Sequence, residues 1–425
     1  MRNANPPTIV AVRTHMKGAA LTGLANKPWS HIAAFTGWFV IIVLFYRFFG
    51  FSTQFSRAES GVFLQISSLP IADAWAAMQP YVARAYSGHF APIAFTAEVL
   101  VSKLLGANET AWFVRQCLAL SIFATVTTAA LREANPANTV FGSACLAAIL
   151  VFHPFAADLM SWPFMVMQIA CLTCASAAAM FLARFSRDPS ARTAWLCAMS
   201  GYAAMHFFGV GLAISAATLL ALFLTAWAQS SGRFAKWPLI VGTVLTALHA
   251  IPIMLRGGGA DGAVQWVDSV RRLLVLLVEQ PIAALRATFA TPWVMQPDLS
   301  IPATQAVWGG AFAAMAAIGL VACWRKASIE RTPGTVPIVT LALGAYVLTC
   351  GLIAARLRAE TGAATLVAFL IGGRYLIFPI FYAVLAAGTL RVPAYVYAVG
   401  AAGMMISTAV FVRFVAPTLW PSFFP

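Results

Sequence analysis

The sequence predicts an all-α polytopic integral membrane protein with about eleven transmembrane helices. Hydrophobic residues make up 61% of the 425 residues, charged residues make up only 9%, and the mean hydropathy is +0.83. A soluble domain carries about 25% charged residues, so the composition excludes that class. Apolar segments long enough to cross a bilayer recur along the whole chain, which predicts a bundle of spanning helices.

The first span is predicted at residues 29–50. Residues 1–28 are mixed and basic, without the features of a cleavable signal peptide, so we expect the span to be retained as a signal anchor. Basic residues flank spans on the cytoplasmic side. Four of them precede this span and predict that segment 1–28 is cytoplasmic: Arg2, Arg13, Lys17 and Lys27.

Ten further segments have about the length that a bilayer core requires, although several are short and their boundaries are approximate. They are 109–131, 139–152, 163–181, 194–207, 209–228, 237–254, 302–323, 336–355, 374–390 and 393–412. The chain therefore divides after the N-terminal segment into a transmembrane module at 29–255 with outer loops 51–108 and 153–162, an outer loop at 256–301, and C-terminal helices at 302–425.

Residues 91–105 decide the topology, because a crossing there would reverse every later loop. The segment carries Glu98 and Lys103, and each charge at the centre of a spanning helix would cost about 3 kcal/mol. Glu98 and Ser102 lie away from the helical face that holds the apolar residues. That face consists of Ile93, Ala97, Leu100 and Leu104. We therefore predict an interfacial helix on the outer membrane surface.

With that helix on the surface, three basic connections fall on the cytoplasmic side together with the N-terminus. They contain Arg184, Arg187 and Arg192, then Arg233 and Lys236, then Arg325, Lys326 and Arg331. The formal net charge of +14 thus comes from residues beside spans and not from one basic tail. It predicts contact with membrane lipids and phosphate-bearing lipids, and no nucleic-acid partner.

Most acidic residues fall in the outer loops, and none falls in the middle of a predicted span. The outer acids are Glu59, Asp73, Glu98, Asp158, Asp261, Asp268, Glu279, Asp298 and Glu360. An ion-coupled transporter usually needs an ionisable group near the bilayer midplane. His206 and His249 are the nearest candidates, and we interpret them as packed, hydrogen-bonded residues. A lipid or sugar transporter or flippase is therefore the less favoured function.

The seven cysteines lie in or at the ends of apolar spans, without the spacing of a disulfide framework. Cys171 and Cys174 form a CxxC motif with no other ligand nearby, so we interpret them as small core residues and not as a zinc site. The sequence has no phosphate-cradling glycine-rich loop and no nucleotide fingerprint. Both absences argue against a cytoplasmic nucleotide sugar as substrate.

An ordered set of features follows the first span. They are an acid, surface helices, a His-Phe-x-Pro turn, an amphipathic helix ending in Leu-Leu-Gly, and an arginine, and the matching residues are Glu59, His89, Pro92, Gly106 and Arg115. Later, residues 372–379 read Gly-Gly-Arg-Tyr-Leu-Ile-Phe-Pro. This order resembles the GT-C membrane glycosyltransferases, above all the protein O-mannosyltransferase and aminoarabinose-transferase type, glycosyltransferase family 39 in the broad sense. The resemblance is best through about residue 228 and implies a GT-C-like fold with extracytoplasmic juxtamembrane helices.

The resemblance implies an inverting transferase that moves a sugar from a polyprenyl-phosphate lipid donor to a glycan, lipid or protein acceptor on the outer face. The family's catalytic base is the acid of the first loop, so Glu59 takes that role, and the acceptor hydroxyl must lose its proton as it attacks. Many relatives carry Asp, often in an Asp-Glu pair, where this chain has Ala58-Glu59-Ser60. Asp73 is therefore the alternative base, and an exposed ion pair of Glu59 with Arg57 is the structural alternative.

The second outer loop holds His153 and Asp158. The resemblance implies that an acid in this loop supports the active site, sometimes through a metal, so the pair could hold Mg²⁺ or Mn²⁺. No ligand cluster requires a metal, and Asp158 could instead cap the next span. His89 either binds substrate or phosphate or fixes the turn before Pro92.

The leaving phosphate needs cations, and the forked donors of arginine suit phosphate oxygens. Arg271 and Arg272 lie in a predicted amphipathic interfacial helix at 264–278. Arg374 could instead anchor a span at the interface. The outer-face candidates are Arg271, Arg272, Arg356, Arg358 and Arg374.

A second enzyme class remains open, the O-antigen polymerase or ligase type, which joins lipid-linked glycans on the outer face with arginines and histidine. Essential arginines with a dispensable Glu59 would favour it. The alanine-rich spans and the lack of large lumenal domains lead us to expect a bacterial inner membrane protein with its active site facing the periplasm. The endoplasmic reticulum is the alternative.

Overall fold

The computed structural model describes residues 28–49, 60–83, 90–162, 165–257, 270, 272–278, 334–356, 376–410 and 412–413. All regular secondary structure within these ranges is helical, which confirms the all-α class. The helices are α1 (Pro28–Phe48), α2 (Ser60–Ser68), α3 (Ile71–Ala83), α4 (Pro92–Leu105), α5 (Glu109–Ala134), α6 (Val140–Val151), α7 (Pro154–Ser161), α8 (Val166–Arg187), α9 (Ala191–Met205), α10 (Gly211–Ala228), α11 (Gly232–Gly257), α12 (Thr335–Arg356), α13 (Ile377–Ala387) and α14 (Ala394–Val410).

Six of the described helices are long and apolar enough to cross a membrane, namely α1, α5, α8, α10, α11 and α12. Together α6 and α7 would make a seventh span, bent by 59° at the break between them. The protein is therefore a polytopic membrane protein, but the described residues do not confirm the predicted count of eleven. The helices α9, α13 and α14 occupy predicted positions and are only 15, 11 and 17 residues long. The predicted span at 302–323 lies outside the described residues.

Polar side chains begin several of these helices by accepting hydrogen bonds from backbone N–H groups that lack a helical partner. The Asn108 side chain accepts from the Ala111 N–H at 3.0 Å and begins α5. Thr139 accepts from the Gly142 N–H at 3.0 Å and begins α6. Short polar connections therefore mark where the apolar helices start.

One end of the bundle collects basic residues, and we call it the basic end. Glu133, near the end of α5, pairs with Arg184 at 2.9 Å and with Arg187, both in the last turn of α8. The Gln229 amide donates to the Ser186 carbonyl at 2.5 Å, which brings the α10–α11 connection beside the α8–α9 connection. Two of the predicted basic connections thus share one end, and the third, at 325–331, lies outside the described residues.

The other end, which we call the distal end, is built around the last turn of α6. Tyr46 in α1 donates to the Val151 carbonyl at 3.0 Å, and Thr408 in α14 donates to the Phe152 carbonyl. Gln116 in α5 donates to the Trp162 carbonyl at 3.0 Å. The C-terminal ends of α1 and α14 therefore meet at the end of α6, and the N-terminal half of α5 contacts the residue that follows α7.

Small residues allow the central helices to approach closely. A Cβ atom added at Gly201 in α9 would lie 2.8 Å from the Thr218 Cβ in α10, so these two helices pack through the glycine. Thr127 in α5 and Ser176 in α8 share a buried hydrogen bond of 2.8 Å. In a bilayer, close packing and hydrogen bonds between helices drive association, because lipid tails are as apolar as the helices.

Candidate functional site

Helix α4 lies across the distal end of the bundle and does not run from one end to the other. Near its start, the Ala94 N–H donates to the His206 carbonyl at the C-terminus of α9, at 3.2 Å. Its other end leads through Gly106 directly into α5 at Glu109. Both neighbours belong to the distal end, so this arrangement agrees with the interfacial helix predicted at 91–105.

Helix α4 exposes one apolar stripe, while its buried face holds Phe95 and Val99 together with two polar residues. The large side chains of its apolar stripe, Ile93, Leu100 and Leu104, are between 52% and 82% exposed. Glu98 is only 2% exposed and Ser102 is fully buried. A helix with an exposed apolar stripe and buried polar residues fits a position against lipid.

The carboxylate of Glu98 pairs with the guanidinium of Arg115, which lies in α5. The guanidinium also lies 5.0 Å from the Trp112 ring centroid, and the Trp112 indole donates to the Gly106 carbonyl at 2.8 Å. Glu98 Oε2 and Ser102 Oγ have no hydrogen-bond partner among the described residues. Burial raises the pKa of Glu98, and the charge of Arg115 opposes that rise. The family resemblance indicated Arg115, but its partner was not predicted.

Lys103 joins α4 to the other surface helices. Its ammonium group donates to the Ser67 carbonyl at 2.9 Å, and the Ile66 and Leu69 carbonyls are also within hydrogen-bond distance. These carbonyls belong to the last turn of α2 and the turn that follows, where helical partners are missing. One lysine therefore caps α2 and fixes α2 against α4.

Two histidines hold the segment that leads into α4. His249 Nε2 donates to the Phe90 carbonyl at 2.9 Å, since a carbonyl can only accept. The His206 and His249 rings meet edge to face with centroids 4.7 Å apart, and Tyr202 contacts both rings. His249 is buried, as predicted for a packed and hydrogen-bonded residue. His206 Nδ1 is buried without a hydrogen-bond partner in the described part of the chain.

The structure describes two of the predicted catalytic acids, Asp73 and the backbone of Asp158. Asp73 is exposed in the first turn of α3. Asp158 lies inside α7, and its side chain is outside the described part of the structure. The following span, α8, has Met165 as its N-cap, which makes no side-chain cap hydrogen bond. Glu59 and His89 lie outside the described residues, although Glu59 directly precedes the first residue of α2.

His153 is the N-cap of α7, a role not predicted from the sequence. Its Nδ1 accepts from the Phe155 N–H at 3.1 Å, and the residue is fully buried. Its Nδ1 is therefore already engaged and is not available to the metal suggested with Asp158. Within the ranges that the structure describes, no group of three or more His, Cys, Asp or Glu side chains could hold a metal ion.

The structure describes two of the five predicted phosphate-binding arginines, Arg272 and the backbone of Arg356. Arg272 is half-buried in the helical residues 272–278, within the predicted interfacial helix. Arg356 is the last residue of α12, and its side chain is not among the described ones. Arg271, Arg358 and Arg374 lie outside the described residues.

None of the six candidate spans carries a carboxylate in its middle, as far as the structure describes them. The acids of α5, Glu109 and Glu133, lie at its two ends. Comparison of the chain with family models, curated proteins and solved structures finds no match. The GT-C resemblance therefore remains an expectation from the sequence.

Proposed function

We propose that the protein is an inverting glycosyltransferase that moves a sugar from a polyprenyl-phosphate lipid to an acceptor at the membrane surface. The observation that supports this best is the position of α4 across the distal end, where its buried Glu98 pairs with the partly buried Arg115 of α5. The helices α2 to α4 follow the first span and pack on one another. A lipid-borne phosphate lies at the depth of such surface helices, so donor and acceptor could meet there.

In the proposed reaction, Glu59 takes the proton of the acceptor hydroxyl as its oxygen attacks the anomeric carbon of the sugar. The bond from that carbon to the lipid phosphate oxygen breaks on the opposite face, which inverts the configuration. The phosphate leaves as an anion and is stabilised by outer arginines, for which we propose Arg271, Arg272, Arg356, Arg358 and Arg374. Asp73, exposed in α3, is the alternative base.

The proposal also fits the distribution of charge. Arginines and lysines collect at the basic end, so the positive-inside rule favours a cytoplasmic basic end and an extracytoplasmic distal end. In a bacterial inner membrane, the distal end would then face the periplasm. The lack of a carboxylate in the middle of the described spans makes an ion-coupled transporter the weaker alternative.

Glu59→Gln tests the proposal in membranes supplied with a polyprenyl-phosphate sugar. We expect transfer to fall on the order of 100- to 10,000-fold, as for loss of a general base, at unchanged expression. Glu109→Gln is the matched control, because Glu109 is an exposed acid at the same end. Loss of activity in Asp73→Asn alone would move the base to Asp73. Full activity in both variants would overturn the proposal, and essential arginines would then favour an O-antigen polymerase or ligase.

A further inference from the structure

An apolar groove of about 500 Å³ opens between α10 and α11 on the side of the bundle that faces lipid. Leu220 and Phe223 line it from α10, and Ile240 and Val244 line it from α11. The two helices touch beside it at Gly242, where an added Cβ would lie 2.7 Å from a Leu219 methyl group. The groove follows two candidate spans, so hydrocarbon is the environment it faces.

Basic and aromatic side chains stand where this groove approaches the basic end. On α11, Arg233, Lys236 and Ile240 recur at spacings of three and four residues, which places them on one face of the helix. On α10, Trp227 lies one turn beyond Phe223 on the face of the groove. Trp227 is 74% exposed and Trp237 is 63% exposed. Exposed tryptophans are typical of the level of the lipid headgroups.

Within the described part of the chain, the cations at the end of the groove have no anionic partner. Arg184 and Arg187, at the same end of the bundle, are both paired with Glu133. Arg233 and Lys236 are exposed, and neither makes a salt bridge with any carboxylate among the described residues. Each instead lies over an aromatic ring of its own helix, Arg233 over Phe234 and Lys236 over Trp237. Their charge is therefore available to a ligand.

We propose that this surface binds an anionic glycerophospholipid, with an acyl chain in the groove and the phosphate between Arg233 and Lys236. Basic pockets between spans on the cytoplasmic side are suited to anionic headgroups, and the apolar groove supplies the complementary surface for the chain. The site lies at the end opposite α4, so it does not depend on the proposed transfer reaction.

Native mass spectrometry of the purified full-length protein, titrated with phosphatidylglycerol or with phosphatidylcholine of the same chains, tests this proposal. We expect a preference for phosphatidylglycerol that falls roughly thirtyfold in Arg233→Gln/Lys236→Gln, from the attraction of two basic residues to an anionic lipid. Val244→Trp should also weaken binding, because the indole fills the groove. Thermal unfolding of each variant checks that it is folded.

Arg192→Gln is the matched control, since Arg192 is exposed at the same end in the first turn of α9, away from the groove. An equal loss in this control would show only diffuse attraction and would overturn the site. Equal binding of phosphatidylcholine would overturn the role of the two cations. Displacement of phosphatidylglycerol by an equal concentration of polyprenyl phosphate would overturn the assignment of the lipid.

Discussion

Arg115 supplies the counter-charge for Glu98, a carboxylate that is almost completely removed from solvent. Removing one member of a buried ion pair is costly because the other member keeps its charge without compensation. Glu98 needs this partner more than an exposed acid would, since its second oxygen has no hydrogen-bond partner in the described chain. The pair therefore ties the surface helix α4 to the spanning helix α5.

Arg115→Leu should destabilise the protein by roughly 3 kcal/mol, because it leaves the Glu98 carboxylate buried and unpaired. Arg115→Leu/Glu98→Gln should recover most of that loss, since the glutamine is neutral. Thermal unfolding in detergent would measure both variants against the native protein. A double variant no more stable than the single one would show that the charge of Glu98 is not the cause.

Protonation of Glu98 predicts a pH dependence. Burial raises its pKa above the usual value of 4.5, so the folded protein binds a proton at pH values where the unfolded chain has released it. The contribution of this group to stability is complete below 4.5 and is lost as the pH rises through the raised pKa. Glu98→Gln should remove this part of the pH dependence, as measured by unfolding at a series of pH values. An unchanged pH profile would contradict it.

The sequence predicted the side of the helix on which Glu98 lies, but not its partner. The spacing of the apolar residues is a local property, so the face that excludes Glu98 can be derived from the chain alone. Arg115 lies 17 residues further on, in another helix. Whether the two meet depends on the angle of the turn at Gly106, which residue spacing does not determine.

At the scale of the element, Gly106 allows α4 to end and α5 to begin in a new direction. Its φ of +57° and ψ of −142° are conformations that residues with a side chain rarely adopt. Its N–H donates to the Ser102 carbonyl at 2.9 Å and closes α4. The turn that orients the surface helix therefore depends on the backbone freedom of one glycine.

Gly106→Ala should destabilise the protein by about 2 kcal/mol through backbone strain, although an added Cβ would meet nothing within 4 Å. Gly37→Ala is the control. Gly37 lies in the interior of α1, also with open space around a Cβ, and there alanine is the better helix former. The two variants should therefore shift the melting temperature in opposite directions. A neutral Gly106→Ala would contradict the strain.

Helix positions were predicted well wherever an apolar run was long, as in α5, α8 and α10. The short α7 was expected to be a loop at 153–162, because eight residues are too few for a periodic pattern to be recognised. His153 accepts a backbone hydrogen bond at the start of α7, and Pro154 occupies the first turn. Capping by histidine is uncommon compared with Ser, Thr, Asp or Asn, so the sequence indicates the start of α7 only weakly.

At the scale of the whole molecule, the position of α4 fixes which connections share a side of the membrane. Residues before α4 and residues after it should be accessible from the same side, because α4 does not cross the bundle. The basic connection before α9 should be accessible only from the other side. Five of the six cysteines that the structure describes are buried, which gives a low background for labelling with thiol reagents.

Ala72 lies before α4 and Ala107 lies after it, and both are exposed. Ala72→Cys and Ala107→Cys should therefore react with a membrane-impermeant maleimide from the same side of the membrane. Ala191→Cys, the first residue of α9, should react only from the opposite side. Intact cells and inverted vesicles would separate the two sides. Labelling of Ala72→Cys and Ala107→Cys from different sides would make α4 a span and reverse the topology of the rest of the chain.

The hydrogen bonds around the end of α6 also set an order for assembly of the chain. The Phe152 carbonyl is bonded by Thr408, which is 256 residues further along. At about 5–20 residues per second, roughly 13 to 50 seconds of synthesis separate the two residues. During that interval the carbonyl needs another partner, such as water at the membrane surface or a membrane chaperone. The distal end of α6 therefore gains its final hydrogen bond only after α14 has been synthesised.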